Sequence, residues 1–343
     1  MGGILTMDTY GTRLMLTIRE YTKQYARKSD ALGGLSFFAS FATYFAALIL
    51  GAVYLGHVWL SLPMIVVLAF ASVRLYVLQH DCGHYSLFKT KSWNDWAGYA
   101  LSVVSLTPFR VMQYNHNLHH AHLGDLEHRE TTEVFTMTKK EFQEAGVLRR
   151  LSYRIYRNPV VMLSLGGIYA YFIVYRWPAN TRKVGVTGVL IHNALVFTYV
   201  WLVWSVFAWP GLIVLGTSAI LAGVIGVFLV YLQHNFEDTY WDRKPDHEFQ
   251  KATLEGSSSL DLGHWWDIGT GNIAYHDLHH FAPGIPSYRL RYCQNNLPKH
   301  LRTKHVIRWP EAIASFRLKV WDEDARKMAP FPPSRRAQVV AAE

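Results

Sequence analysis

Histidine spacing is the feature of this chain that could do chemistry. Of 17 histidines in 343 residues, eight fall into three patterned groups. His80-Asp81-Cys82-Gly83-His84 is an H-x3-H pair, and its i, i+4 spacing puts both imidazoles on one helical face. His116-Asn117-Leu118-His119-His120 is H-x2-H-H, and His276-Asp277-Leu278-His279-His280 repeats that spacing. One H-x2-H-H is expected by chance about 0.04 times in a chain of this composition, so two of them form a constellation. His234, at the end of a long apolar run, is the ninth candidate. His122 lies i+2 from His120, points off that face, and reads as a residue behind the ligands or at the surface. His57 and His192 fall on the wrong side or depth, and His128, His247, His264, His300 and His305 lack such spacing.

Nine imidazoles exceed the four to six ligands of one zinc or iron ion, so two metals are the economical reading. Imidazole suits iron, zinc, copper or nickel, and ligand type alone does not choose. The H-E-x-x-H of a metalloprotease and the G-x-x-x-x-G-K-[ST] of a nucleotide site are absent from the sequence. A metal transporter would place ligands at mid-membrane in broken helices, whereas these sit where apolar runs end.

The elements that must position the histidines follow from the charge distribution. Only 17% of residues are charged, against about 25% in soluble domains. Residues 31–73 and 184–233 contain no Asp, Glu, Lys or Arg. A span takes about 20 apolar residues, so each window holds two. Gly56-His57 and Trp209-Pro210-Gly211 divide them into spans near 35–55, 58–79, 186–207 and 212–233. The expected fold is all-α: four transmembrane helices in two hairpins, with a cytoplasmic helical cap holding a di-metal site. Lys and Arg are missing from both inter-span turns, which by the positive-inside rule makes the termini and the active site cytoplasmic. Arg74, near a span interior, is close enough to the cytoplasmic end to snorkel.

The first 34 residues form a separate cytoplasmic segment. Leu14, Ile18, Tyr21 and Tyr25 share one face of a basic helix suited to lying on anionic lipid. Residues 35–327 are the catalytic domain, and 328–343, with Pro330, Pro332 and Pro333, read as a disordered tail. The opening residues lack the features of a signal peptide, and Met1-Gly2 with Thr6 matches a myristoylation pattern that chance explains better. Trp96–Phe109 is too short to span. Pro159–Tyr175 is borderline, but a common side for all three boxes demands an even number of crossings, so it should not cross. Net charge +9 is read as a surface for anionic headgroups or an acidic partner, and not for nucleic acid.

The three boxes on paired hairpins resemble the integral-membrane fatty acid desaturases. Asn235-Phe236-Glu237-Asp238-Thr239-Tyr240-Trp241, Thr270-Gly271-Asn272-Ile273 and Pro283-Gly284-Ile285-Pro286-Ser287-Tyr288 are similar to the acyl-lipid branch with its Δ12/ω6-type enzymes. The resemblance covers roughly 35–300. It implies a di-iron centre using O2 to insert a double bond into a lipid-linked acyl chain, in a bacterial plasma membrane. His80, His84, His116, His119, His120, His276, His279 and His280 match the boxes, and His234 matches an additional ligand. The acyl-CoA branch carries an Asn four residues before that ligand, where this chain has Val230; Asn272 is the candidate substitute. Asp81 and Asp277, inside the boxes, are candidate partners of neighbouring ligands or of the backbone. An external ferredoxin or cytochrome b5 type donor is implied, since no flavin- or haem-binding segment is evident. Trp93–Tyr99 and Trp265-Trp266 are expected to wall the lipid channel or to form an interfacial belt. A hydroxylase, acetylenase or epoxygenase on the same scaffold, a carotenoid or alkane oxygenase, and a non-enzymatic metal-binding or transport protein remain the alternatives.

Overall fold

A computed structural model describes residues 7–129, 134–302 and 305–333. The myristoylation match lies outside the described residues, as does the tail beyond 333.

The chain begins with α1 (Met7–Lys23), α2 (Asp30–Val53), α3 (Val58–Gly83), α4 (Lys91–Val104) and α5 (Phe109–Ala121). Then come α6 (Lys139–Glu144), α7 (Val147–Tyr156), α8 (Pro159–Gly167), α9 (Pro178–Val184) and α10 (Val186–His234). Short pieces complete it: α11 (Phe249–Glu255), β1 (Ser259–Leu260), α12 (His264–Gly269), α13 (His276–Phe281), α14 (Ser287–Asn296), β2 (Val306–Ile307), α15 (Trp309–Ser315), β3 (Val320–Asp322) and β4 (Lys327–Ala329). The strands form two two-stranded sheets, β1 parallel to β2 and β3 antiparallel to β4, in an otherwise helical molecule. β4 and the packing of Phe331 on Phe142 carry ordered structure past residue 328, where the tail was expected to begin.

α2 starts where Ser29 accepts a hydrogen bond from the Leu32 amide, and with no charge along it after Asp30 only tertiary packing selects its buried face. A straight helix of the 49 residues in α10 would be about 74 Å long, more than twice the hydrocarbon core. The chain breaks instead at Ala208, whose φ of 50° and ψ of −141° lie outside helical space, followed by Pro210. Tyr199 pairs with Tyr44 of α2 at 2.7 Å, Val214 packs on Gly51 near the end of α2, and His192 meets Ser102 of α4. The two halves of α10 therefore run in opposite directions, as a hairpin against α2 and α3.

Asp30–Val53, Val58–Gly83, Pro159–Arg176 and Val186–His234 are long and apolar enough to cross a membrane. The third segment starts and finishes at one end of the bundle. Arg157, just before it, donates to Asn235 after the C-terminus of α10. Arg176 donates to the Leu106 carbonyl, beside Thr107, which accepts from Gln79 near the C-terminus of α3. Between these anchors α8 packs on the second half of α10, and π-type turns follow over Ile168–Ile173.

Arg74 is half-buried, and its guanidinium donates to Ser40 Oγ and the Ile268 carbonyl. One expectation changes. The apolar face of α1 is covered by protein and not by lipid. Ile18 and Tyr25 are buried in the core with Ile285, Leu290 and Cys293, and Tyr21 donates to the Asn296 carbonyl. Truncating a buried isoleucine costs about 2–5 kcal/mol, and an unpaired buried carboxylate adds to that. Ile18→Asp is expected to release α1, read as faster proteolysis between residues 19 and 30 with the rest of the chain intact. A helix held only by lipid would leave the cleavage rate in detergent unchanged.

Candidate metal centre

Three helix ends and one short helix bring the histidines together. His80 and His84 stand at the C-terminus of α3, and His116, His119 and His120 at that of α5. His234 is the last residue of α10, and α13 consists of the third box and Phe281. The nine rings form two groups. The first holds His80, His84, His116, His120 and His279; the second holds His119, His234, His276 and His280. Within each group the candidate ligand atoms lie within 4.8 Å of one another.

The helical period performs the partition. In α5 the i, i+4 pair His116 and His120 faces the first group, while His119 faces the second. In α13 the pair His276 and His280 faces the second, while His279 faces the first. Each H-x2-H-H box thus serves both groups in opposite ratio, and the His120 and His280 rings stack across the boundary at 4.1 Å.

The nitrogen geometry tests whether a metal fits. In the second group Nε2 atoms close a ring: His119–His234 3.2 Å, His234–His276 3.0 Å, His276–His280 2.9 Å and His280–His119 3.2 Å. In the first, His80–His116, His116–His120 and His120–His279 stand at 2.8, 2.9 and 3.1 Å, and His84 Nε2 is buried without a partner among the described residues. A neutral imidazole nitrogen either donates or accepts, so one Nε2 cannot serve two neighbours by hydrogen bonding. Lone pairs converging on one cation at about 2.1 Å would have adjacent nitrogens about 3.0 Å apart in octahedral geometry, and the residues fit.

Electrostatics agree. Burial first, then the neighbouring imidazoles, hold His84, His116, His120, His276, His279 and His280 well below the ordinary histidine value. His119 is depressed in the same way. The rings are therefore neutral at pH 7, the form that binds metal. His234 Nδ1 lies 3.0 Å from the Gly256 carbonyl, and donating there leaves Nε2 as the lone pair facing the group.

The expected supporting residues are engaged elsewhere. Asp81 Oδ2 accepts from the Ser287 amide at 2.7 Å, and its Oδ1 is 3.7 Å from His80 Nδ1, too long for a hydrogen bond. Asn272, at φ 62°, donates from its side-chain amide to the Ser287 carbonyl, with no hydrogen bond to a histidine among the described residues. Asp277 Oδ1 accepts from Ser259 Oγ, and burial pushes its carboxyl up to about 6. An i+1 neighbour points about 100° away from a ligand on a helix, which sends both aspartates to the backbone side of their boxes. His122, Asp125 and His128 form a third, partly exposed group in which His128 Nδ1 meets Asp125 at 2.8 Å.

A cavity of about 790 Å³ adjoins the first group at His116. Met162 and Gly166 of α8 and Val227 and Val230 of α10 give it an apolar wall, with Tyr114 and Tyr153 opposite. Its size falls within the roughly 300–1,000 Å³ of ligand pockets. Trp93, Trp96 and Trp265 do not line it; they are exposed, as an interfacial belt requires. The wall combines residues far apart in sequence. A local signal existed only for α7, whose Val147, Leu148, Leu151 and Ile155 alternate with arginines at helical spacing.

The chain matches the sequence model of the family described as fatty acid desaturase over residues 57–311. It is 32% identical to a fatty acid desaturase of Bacillus subtilis, over 79% of this chain and 78% of the relative. It is 26% identical to an sn-1 oleoyl-lipid 12-desaturase of Synechocystis, over 73% and 72% of the two chains. An sn-1 acyl-lipid omega-3 desaturase (ferredoxin) of Synechocystis is 27% identical, over 63% of this chain and 61% of that one. The family match includes all three boxes, and the chain belongs to the fatty acid desaturase family, membrane enzymes that are non-haem di-iron oxidoreductases.

Proposed function

We propose that this desaturase is an acyl-lipid enzyme of the Δ12/ω6-like branch with two irons held by nine histidines. His80, His84, His116, His120 and His279 would hold one iron, and His119, His234, His276 and His280 the other. The observation that carries the reading is the adjacency of His116 to the cavity, which sets an apolar chain beside the first group. Bound iron supplies the family's oxidising chemistry: O2, two electrons and two protons take two hydrogens from the chain and leave as two waters.

This chain's residues do the rest. Met162, Val227 and Val230 exclude water from the acyl chain, and His234, oriented by Gly256, keeps a lone pair toward its group. Asp81 and Asn272 together hold Ser287, fixing α14 against the end of α3. The electrons come from an external donor of ferredoxin or cytochrome b5 type, consistent with the ferredoxin in the name of the Synechocystis omega-3 relative. The positive-inside rule favours an orientation with the histidine end and both termini cytoplasmic, in a bacterial plasma membrane like that of the Bacillus relative. Within the N-terminal segment 1–34, α1 serves as a packed helix, and 35–327 serves as the catalytic domain.

Expression in a host lacking polyunsaturated lipids, followed by mass spectrometry of membrane fatty acids, tests this. A second double bond in oleoyl chains is expected. Iron incorporated without any new double bond would refute the reading.

A further inference from the structure

α7 separates the cavity from the outside of the molecule, and its faces differ in kind. Arg149, Ser152, Tyr153 and Tyr156 line the cavity, at the i, i+3, i+4, i+7 spacing of one face. Val147, Leu148, Leu151 and Ile155 lie on the opposite side and are exposed, Leu148 by 81%. The apolar exposure continues into α8 at Val160 and Leu165. An exposed apolar stripe beside arginines on a short helix is the pattern of a helix seated in the membrane interface. A helix so seated would put the membrane interface immediately outside the α7 wall of the cavity.

Two cations lie on the cavity lining. Arg149 of α7 and Lys183 of α9 are exposed, and neither has an ion-pair partner among the described residues. Arg129, also on the lining, is already committed to Glu141. Tyrosines and aliphatic residues make up much of the remaining wall, so the cavity is an apolar hole with an unneutralised basic edge. That edge suits a phosphate ester attached to the acyl chain inside.

We propose that Arg149 and Lys183 bind the phosphate of a glycerophospholipid that enters sideways from the bilayer past α7, its acyl chain filling the cavity toward His116. The assignment rests on the acyl-lipid reading above. The same chemistry occurs in a soluble acyl thioester, whose carrier also bears phosphate; the exposed apolar face of α7 favours the lipid, because a soluble carrier gains nothing from a helix seated in hydrocarbon. A cation near a membrane phosphate contributes about a fivefold change in association.

The test uses the full-length, iron-loaded protein in vesicles of phosphate-free digalactosyl diacylglycerol. Association of spin-labelled phosphatidylglycerol is compared with that of spin-labelled diacylglycerol. Wild type should prefer the phospholipid. Arg149→Gln and Lys183→Gln should each lower its association about fivefold, and the double variant more, with diacylglycerol unaffected. Arg149→Lys should retain most of the preference, and Arg150→Gln, on the same helix but off the cavity lining, should leave it within twofold. Equal losses for both lipids, or an Arg150→Gln loss matching that of Arg149→Gln, would overturn the proposal. So would a double variant that binds phosphatidylglycerol normally but no longer binds palmitoyl-coenzyme A. The membrane lipid profile separates this from the parent reading. Wild type forming no double bond in any lipid would remove the acyl-lipid function, whereas normal double bonds with unchanged headgroup preference would remove only the phosphate site.

Discussion

His119→Ala is expected to lower bound iron from two per chain to about one and to abolish double-bond formation. His119 closes the ring of the second group, contacting both His234 and His280 at 3.2 Å. Without it three imidazoles remain, below the four to six ligands iron takes. Losing a residue that merely orients a ligand costs about 10–100-fold, so removal of a ligand should exceed 100-fold. The first group should keep its metal, because His116 and His120 lie on the other face of α5. Plasma emission spectrometry of the purified protein and fatty-acid analysis of the host measure the two effects together. His122→Ala is the matched control and should retain both irons. Two irons with full product after His119→Ala would show that the second group is not a metal site.

Gly167→Val is expected to unseat α8 and destroy the cavity wall. A Cβ at Gly167 would stand 2.6 Å from Gly223 Cα and 2.8 Å from its carbonyl carbon. Overpacking costs about 1–3 kcal/mol where side chains can yield, and backbone against backbone cannot. The cost should therefore reach or exceed the top of that range, read as a fall in the thermal midpoint in detergent. Geometry also sets the order within a series. A Cβ at Gly223 meets Gly167 Cα at 3.2 Å, and one at Gly216 meets nothing within 4 Å. Gly167→Ala should therefore destabilise more than Gly223→Ala, and Gly216→Ala should be neutral or slightly stabilising through its helix propensity. Equal effects at the three glycines would mean that the approach of α8 to α10 is not tight.

Much of the architecture was legible because it depends on local quantities. A charge-free run of 43 or 50 residues has few folding options besides crossing hydrocarbon, and Trp209-Pro210-Gly211 marked the reversal that the structure makes at Ala208. α1 and α7 show where legibility stops. Both are basic amphipathic helices, and a pattern of that kind says that a face is apolar without saying what covers it. In α1 the cover is α14 and the core around Ile285; in α7 the face is exposed.

The metal centre divides along the same line. Ring placement at i, i+3 and i+4 is a property of one helix, so the sequence by itself determined which histidines could act together and that they are too many for one ion. Their division into five and four was decided only by tertiary structure, because it depends on how α5 and α13 are rotated against α3 and α10. The same holds for Asp81 and Asn272, 191 positions apart, which meet at Ser287, and for a cavity whose wall joins α5, α7, α8 and α10. Spacing along one helix is set by covalent geometry, whereas the packing of separate helices is set by shape, and shape is not written in any single segment.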